Sequence, residues 1–111
     1  MPDLSPEDQK LVTLARATMG RTGASEGAAV RDLDGRTYAA AAVVLESLRL
    51  SALEVCVAMA VSSGSRGLEA VVRLGGEGRP DLRAVHELAG DEVVVHVGDA
   101  RGQVAHQVDS I

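Results

Sequence analysis

The sequence predicts an α/β fold of three layers, α-β-α, with a five-stranded mixed sheet whose last strand is antiparallel. Two observations support this. Apolar runs of strand length alternate with helical patterns along the chain. The link between the last two runs is too short for a helical crossover. The chain of 111 residues suffices for a single domain, 1–111, with one modest core.

The first element is a helix that begins at residues 5–8. Ser5 is a good N-cap, Pro6 suits the first helical position, and the two acids that follow favour the positive end of the helix dipole. Gly20 and Gly23 are expected to end the helix.

A β-hairpin is predicted next, because Asp34 and Gly35 separate two apolar runs, 28–30 and 37–44, and both residues tolerate positive φ. The second run is apolar from residue 38 onwards, which predicts a central strand covered on both faces. The charged residues around the turn are interpreted as solvated. They are Arg31, Asp32, Asp34 and Arg36.

A second helix follows over residues 51–62. Ser51 and Glu54 have the spacing of a capping box. The rest of this helix is apolar on nearly every side, so we expect a sheet to cover one side and a partner subunit to cover the other. Cys56 on this helix is interpreted as a buried structural thiol.

The remaining elements are a strand over 68–74, a glycine-rich loop over 75–78 and a third helix opened by Pro80 and Asp81. Two antiparallel strands, 93–97 and 103–108, complete the sheet. The loop has neither a P-loop lysine nor the Rossmann glycine spacing, so phosphate binding is not predicted.

Composition excludes several classes of function. A net charge of −5 with scattered basic residues argues against nucleic-acid binding. One Tyr and no Phe or Trp leave almost nothing for stacking on bases. A single Cys, an acidic N-terminus and the lack of a long apolar run predict a cytoplasmic protein without a membrane segment.

Three short stretches resemble one family over residues 5–108. They are Gly-Ala-Ala-Val at 27–30, Asp-Gly-Arg-Thr-Tyr at 34–38, and Ala-Val-Ser-Ser-Gly at 60–64. In this order, with a buried second helix, they are similar to the compact cytidine deaminases. The resemblance implies a zinc hydrolase in which three Cys or His ligands hold the metal and a glutamate shuttles protons.

The residues that this chemistry requires are missing. The family's Cys/His-Ala-Glu motif falls on Ser51 and Leu53, and its Pro-Cys-x-x-Cys motif places Asp81 and Ala84 at the cysteines. A hydroxyl, a leucine and an alanine cannot replace these groups, and only Asp81 could ligate a metal. A shift of the alignment by one residue would make Glu54 the glutamate but still gives no three ligands, so no catalytic residue, no zinc and no other cofactor is predicted. The ribose-binding Asn-x-Glu is Ala-Val-Val at 42–44. The structural interpretation of Asp81 is a first-turn acid that complements the helix dipole.

The two histidines of the last hairpin offer a weaker metal hypothesis. If the hairpin turns around residues 99–102, His96 and His106 lie nearly opposite each other, about 5 Å apart. No third ligand is evident, since His86 belongs to another element, so exposed hairpin histidines are the preferred interpretation.

The sequence therefore predicts a catalytically inactive deaminase-like protein that acts as an oligomeric interaction or scaffold module, as a homodimer or homotetramer. The family assembles through helices beside the active site, which suits the apolar second helix. One alternative is a hydrolase that acts on a nucleoside or related base through an altered or residual site. Another is a module that binds an unidentified small molecule in the emptied pocket.

Overall fold

The computed structural model describes residues 4–90 and 92–109, and for residues 105–109 it describes the backbone. Three helices and seven strands are present in this part of the chain. The helices are α1 (Pro6–Thr22), α2 (Ala52–Ser62) and α3 (Arg83–Ala89). The strands are β1 (Glu26–Asp32), β2 (Thr37–Ala41), β3 (Val43–Val44), β4 (Arg49–Leu50), β5 (Leu68–Gly75), β6 (Val94–Gly98) and β7 (Val104–Asp109).

Five of the strands form one sheet in the order β2-β1-β5-β6-β7. The β1 strand pairs with β2 and with β5 in antiparallel fashion, β5 and β6 are parallel, and β7 returns antiparallel to β6. The chain crosses from β5 to β6 through α3, as a parallel pair requires. The predicted five-stranded mixed sheet with an antiparallel last strand is confirmed.

Helices cover both faces of this sheet, which confirms the three predicted layers. The alternation of side chains along β1 shows the division: Ala29 packs in the cluster under α1, whereas Ala28 and Val30 pack in the cluster under α2 and α3. In β5, Val72 and Leu74 contribute to the α1 cluster and Val71 to the other. The central strands β1 and β5 thus belong to both cores.

The prediction of a central strand over 37–44 is wrong. The β2 strand is an edge strand and ends at Ala41, after which Ala42 still donates to the carbonyl of Glu26. The chain then folds into an unpredicted two-stranded ribbon, in which β3 pairs with β4. An uninterrupted apolar run indicates cover on both faces, which α1 and α2 provide, but it carries no information about a neighbour on each edge.

The helix ends largely follow the sequence signals. Ser5 caps α1 by accepting from the Asp8 amide at 3.1 Å, and Gly23 ends it at φ 71°. The helix α2 packs one side on the sheet as predicted, but its Val61 is 54% exposed on the other side. No helix among the described residues is both long and apolar enough to cross a membrane.

Candidate functional site

The start of α2 is held by a capping box, as predicted. The Ser51 hydroxyl accepts from the Glu54 amide at 3.1 Å, and the Glu54 carboxylate accepts from the Ser51 amide at 2.8 Å. Two residues along, Leu53 is 2% exposed and packs in the core under α2. Both residues at the first motif therefore have structural contacts: Ser51 holds the backbone and Leu53 fills the core.

A second carboxylate, which the sequence did not single out, also lies at this helix start. Glu26 accepts from the Ala52 amide at 2.8 Å through Oε1 and from Arg73 Nε at 3.3 Å through Oε2. The helix N-terminus is a favourable place for this negative charge. Glu26 is the first residue of β1, at the end away from the hairpin turn, and it thereby closes the first turn of α2.

Arg73 connects this carboxylate to the loop that follows β5. Its side chain is almost wholly buried, and its guanidinium donates to the carbonyls of Glu77 and Gly78 at 3.2 and 3.0 Å. A Cβ at Gly76 would lie 2.4 Å from Arg73 Nη2 and 2.7 Å from Glu26 Oε2. The glycine-rich loop over 75–78 therefore packs on the Glu26–Arg73 ion pair. No phosphate site was predicted in this loop.

At the start of α3, the second motif lies near the solvent. Asp81 is bound by Arg83, whose Nη2 donates to it at 2.7 Å, and it also accepts from the Arg83 amide at 3.1 Å. The hydrogen bonds from Arg83 lower the pKa of Asp81 to about 2. Asp81 precedes the helix rather than lying within its first turn, and Ala84 contributes only a methyl group.

The helix starts meet in a small cavity of about 250 Å³. Its lining combines three carboxylates with one guanidinium: Glu54, Asp81, Glu87 and Arg83, with Ala84 beside them. Ser51 and Leu53 do not line it. In the described part of the chain, no group of three His, Cys, Asp or Glu residues has an arrangement that could hold a metal ion.

A larger cleft of about 690 Å³ opens where the parallel strands β5 and β6 end. Clefts at the carboxyl ends of parallel strands are the common ligand sites of α/β folds. Its walls are mostly small residues with three acids among them: Ser25, Ala42, Gly75, Gly76, Gly98, Ala100, Glu26, Glu77 and Asp99. The lining has room for a small molecule and, among the residues that the structure describes, contains no histidine or cysteine.

The histidine pair of the last hairpin is not formed as predicted. The backbone register pairs His96 with Gln107, and His106 with Val97, because an irregularity between Val97 and Gly98 shifts the pairing. His96 is also not an exposed histidine: it is 4% exposed, and its Nε2 lies 3.0 Å from Asp8 Oδ2. The side chain of His106 lies outside the described residues.

The Asp8 carboxylate joins α1 to the sheet through two partners. It binds His96 and also accepts from Arg31 at 2.9 Å. Burial alone raises the pKa of Asp8, but the hydrogen bonds from Arg31 and His96 outweigh it, and the pKa is lowered. The Arg31 side chain is mostly buried rather than solvated, which corrects the prediction for that residue.

The first hairpin contains a second correction, since Asp32 is fully buried. Its carboxylate accepts from the Ser65 hydroxyl, from Arg36 Nε at 2.9 Å and from the Tyr38 hydroxyl at 3.3 Å. The Ser65 hydrogen bond is the main cause that lowers the pKa of Asp32 to about 2. Nearby, Cys56 is buried as predicted, and burial raises the pKa of its thiol to about 12.

Comparison with known proteins gives a consistent result. A family model described as "Cytidine deaminase-like" matches residues 4–102. The fold is similar to a cytidine deaminase from Burkholderia pseudomallei, with a TM-score of 0.81 and 20% identity over 96% of this chain and 94% of that one. A cytidine deaminase from Mycobacterium leprae gives a TM-score of 0.71 and 21% identity over 97% of this chain and 95% of that one. The search of curated proteins returned no match.

Proposed function

Because the chain belongs to the cytidine deaminase-like family, we propose that it is a non-catalytic member that acts as an oligomeric interaction or scaffold module. One observation carries the proposal: the side chains of Ser51, Glu54 and Glu26 each accept a hydrogen bond from a backbone amide at the start of α2. Deamination in this family needs a metal-activated water and a proton-transferring glutamate, and Leu53 cannot transfer a proton.

The residues present do not fit a zinc ion. A catalytic zinc takes three protein ligands and a water, and of the four motif positions only Asp81 offers a carboxylate. That carboxylate is paired with the Arg83 guanidinium, whose positive charge opposes a second cation. These contacts support a protein that works without zinc.

Metal content and activity measured on the same purified sample test the proposal. We expect zinc well below one equivalent per chain by elemental analysis, and no conversion of cytidine with or without added zinc. Stoichiometric zinc together with activity that a chelator abolishes would contradict the proposal and favour the alternative of an altered hydrolase.

The second candidate function is the binding of a small molecule, and the cleft at the ends of β5 and β6 favours it. A volume of about 690 Å³ lies within the range of ligand sites. A thermal-shift screen with nucleosides and apolar metabolites tests this, because a ligand that binds the native state raises the unfolding temperature. An unchanged midpoint with every compound would speak against it.

For assembly, we propose a homodimer or homotetramer in which the exposed side of α2 contributes an interface. Ala58 and Val61 are exposed there, Val55 and Met59 are half-buried, and the half-buried Glu54 lies on the same side, one turn before Ala58. The acidic composition and the single cysteine support a cytoplasmic location. Mass measurement in solution tests the assembly, and a monomer at micromolar concentration would contradict it.

A further inference from the structure

The outer edge of β2 is free of a neighbouring strand in the described part of the chain. Its five residues, Thr37–Ala41, carry no charge, and helices α1 and α2 cover its faces. An edge strand presents a row of backbone donors and acceptors that can pair with another strand, and proteins usually protect it with charges, prolines or bulges. None of these devices occurs within β2.

Exposed apolar side chains lie at the two ends of this edge. We name residues 33–36 the hairpin tip and residues 43–50 the ribbon. Leu33 at the hairpin tip is 62% exposed, and on the ribbon Val44 and Leu45 are 72% and 58% exposed. With Leu48, these are four of the six large hydrophobic residues that the described chain exposes. Leu33 rests against Gly67, but none of the four belongs to either core cluster of the described chain.

The two ends also carry matching charges. The hairpin tip exposes Asp34 and Arg36, which also pair with each other at 3.5 Å, and the ribbon exposes Glu46 and Arg49. Each end therefore offers one acid, one base and leucine side chains. Two such ends placed against each other can form opposite-charge contacts around an apolar centre, which is the usual anatomy of a protein interface.

We propose that the edge of β2 is the docking surface for a second copy of this chain. The two β2 strands pair antiparallel about a two-fold axis, and the two five-stranded sheets become one sheet of ten strands. Antiparallel pairing brings the hairpin tip of one copy against the ribbon of the other, twice. This places Leu33 near the partner copy's Leu45, and the charged residues of the tip near those of the ribbon.

The size of a stable interface supports the use of both ends. A five-residue strand is about 17 Å long, and a strand pair alone buries far less than the roughly 800 Å² per partner of a typical interface. The contacts between tip and ribbon must supply the remainder, which gives the exposed leucines a role. The inference rests on the oligomer within the proposed function and adds a second surface to the α2 interface proposed there.

Solution mass of wild type and charge-inserting variants tests the surface. We expect Leu33→Asp and Leu45→Asp each to halve the mass, because a buried unpaired carboxylate disrupts an apolar contact. Gln103→Asp is the matched control, since it adds the same charge at an exposed position beside the other end of the sheet and should leave the mass unchanged. Circular dichroism of each variant confirms that the monomer is folded.

The outcomes separate this inference from the proposed function. If Val61→Asp on α2 halves the mass and the two leucine variants do not, the β2 surface is wrong and the α2 interface stands. If the wild-type protein is a monomer, both the proposed oligomer and the β2 docking surface are wrong. If it is an oligomer that neither leucine variant changes, the partner uses another surface and the inference is wrong.

Cross-linking tests the antiparallel arrangement directly. Leu33→Cys and Leu45→Cys proteins are mixed and treated with a short bismaleimide at neutral pH. We expect a covalent dimer in the mixture and far less in either protein alone, since each site faces the other kind of site. The native Cys56 gives little background because it is buried. Cross-links of equal yield in the separate proteins would overturn the arrangement.

Discussion

At the scale of single residues, Arg73 pairs with Glu26, the carboxylate that closes the start of α2. A lone arginine within an apolar strand indicates a buried charge that needs a partner, so the sequence contains the signal. The sequence pattern does not identify which residue is the partner. Glu26 directly opposes Gly75 in the β1–β5 ladder, so Arg73 is its diagonal neighbour on the same face. Only the register of strands distant in sequence brings the pair together.

Breaking this pair is expected to be costly. Glu26→Gln leaves the buried Arg73 guanidinium without its counter-charge, so we expect the free energy of unfolding to fall by about 3 kcal/mol. The double variant with Arg73→Met should recover part of the loss, because no unpaired charge remains. Urea unfolding measures both, with Glu77→Gln in the exposed loop as control. Equal losses in Glu26→Gln and the control would show that the pair is unimportant.

The buried Asp32 carboxylate should make the free energy of unfolding depend on pH. The pKa of its carboxyl is about 2 in the folded chain, and about 3.9 is typical of unfolded aspartate. As pH falls, the unfolded state therefore takes up the proton first. The stability that this carboxylate contributes is fully present above about pH 4 and is lost between about pH 4 and pH 2.

The Asp32→Asn variant checks this dependence. It should unfold more easily at neutral pH and lose stability less steeply below about pH 4 than wild type does. Asp34→Asn, at the exposed neighbouring position, is the control. Parallel curves of unfolding free energy against pH for wild type and Asp32→Asn would refute the assignment.

At the scale of elements, local signals predicted the helices well and the strand neighbours poorly. The caps at Ser5 and Ser51 depend on residues three positions away, so the sequence alone reveals them. β2 is an edge strand because no described strand pairs with its outer side, and the residues of β2 themselves do not indicate this. The register of His96 depends on an irregularity in the last hairpin, which a count of turn residues cannot reveal.

The capping box provides the test at this scale. Ser51→Ala removes the acceptor for the Glu54 amide and should lower the free energy of unfolding by about 1 kcal/mol. Ser51→Asp keeps an acceptor and should retain most of the stability. Urea unfolding measures both variants. A Ser51→Ala protein as stable as wild type would remove the structural explanation of this residue.

At the scale of the whole molecule, the predicted layers were correct because helices that alternate with strands along the chain imply a sheet covered on both faces. The absence of deaminase chemistry stays a prediction, made from the residue identities at the motif positions. The closure of α2 by Glu26 was not predicted, since it requires the sheet to be assembled first. The two core clusters share β1 and β5, so we expect a single cooperative unfolding transition.

Truncations on opposite faces test this cooperativity. Leu11→Ala removes a buried side chain under α1 and Leu53→Ala one under α2, and each should lower the free energy of unfolding by about 2–5 kcal/mol. Leu14→Ala, at a partly exposed site, should cost much less. Circular dichroism on heating should show one transition for every variant. Two separated transitions would show that the two cores unfold independently.

The hydrogen bond between Tyr38 and Asp32 has a practical consequence. Tyr38 is the only aromatic residue of the chain, so all of its intrinsic ultraviolet emission comes from one phenol, which lies beside a buried carboxylate and the Ser65 hydroxyl. A carboxylate that accepts the phenolic proton quenches tyrosine emission. An increase in tyrosine fluorescence should therefore report that the contact between the first hairpin and the turn after α2 has opened. This measurement needs no added label.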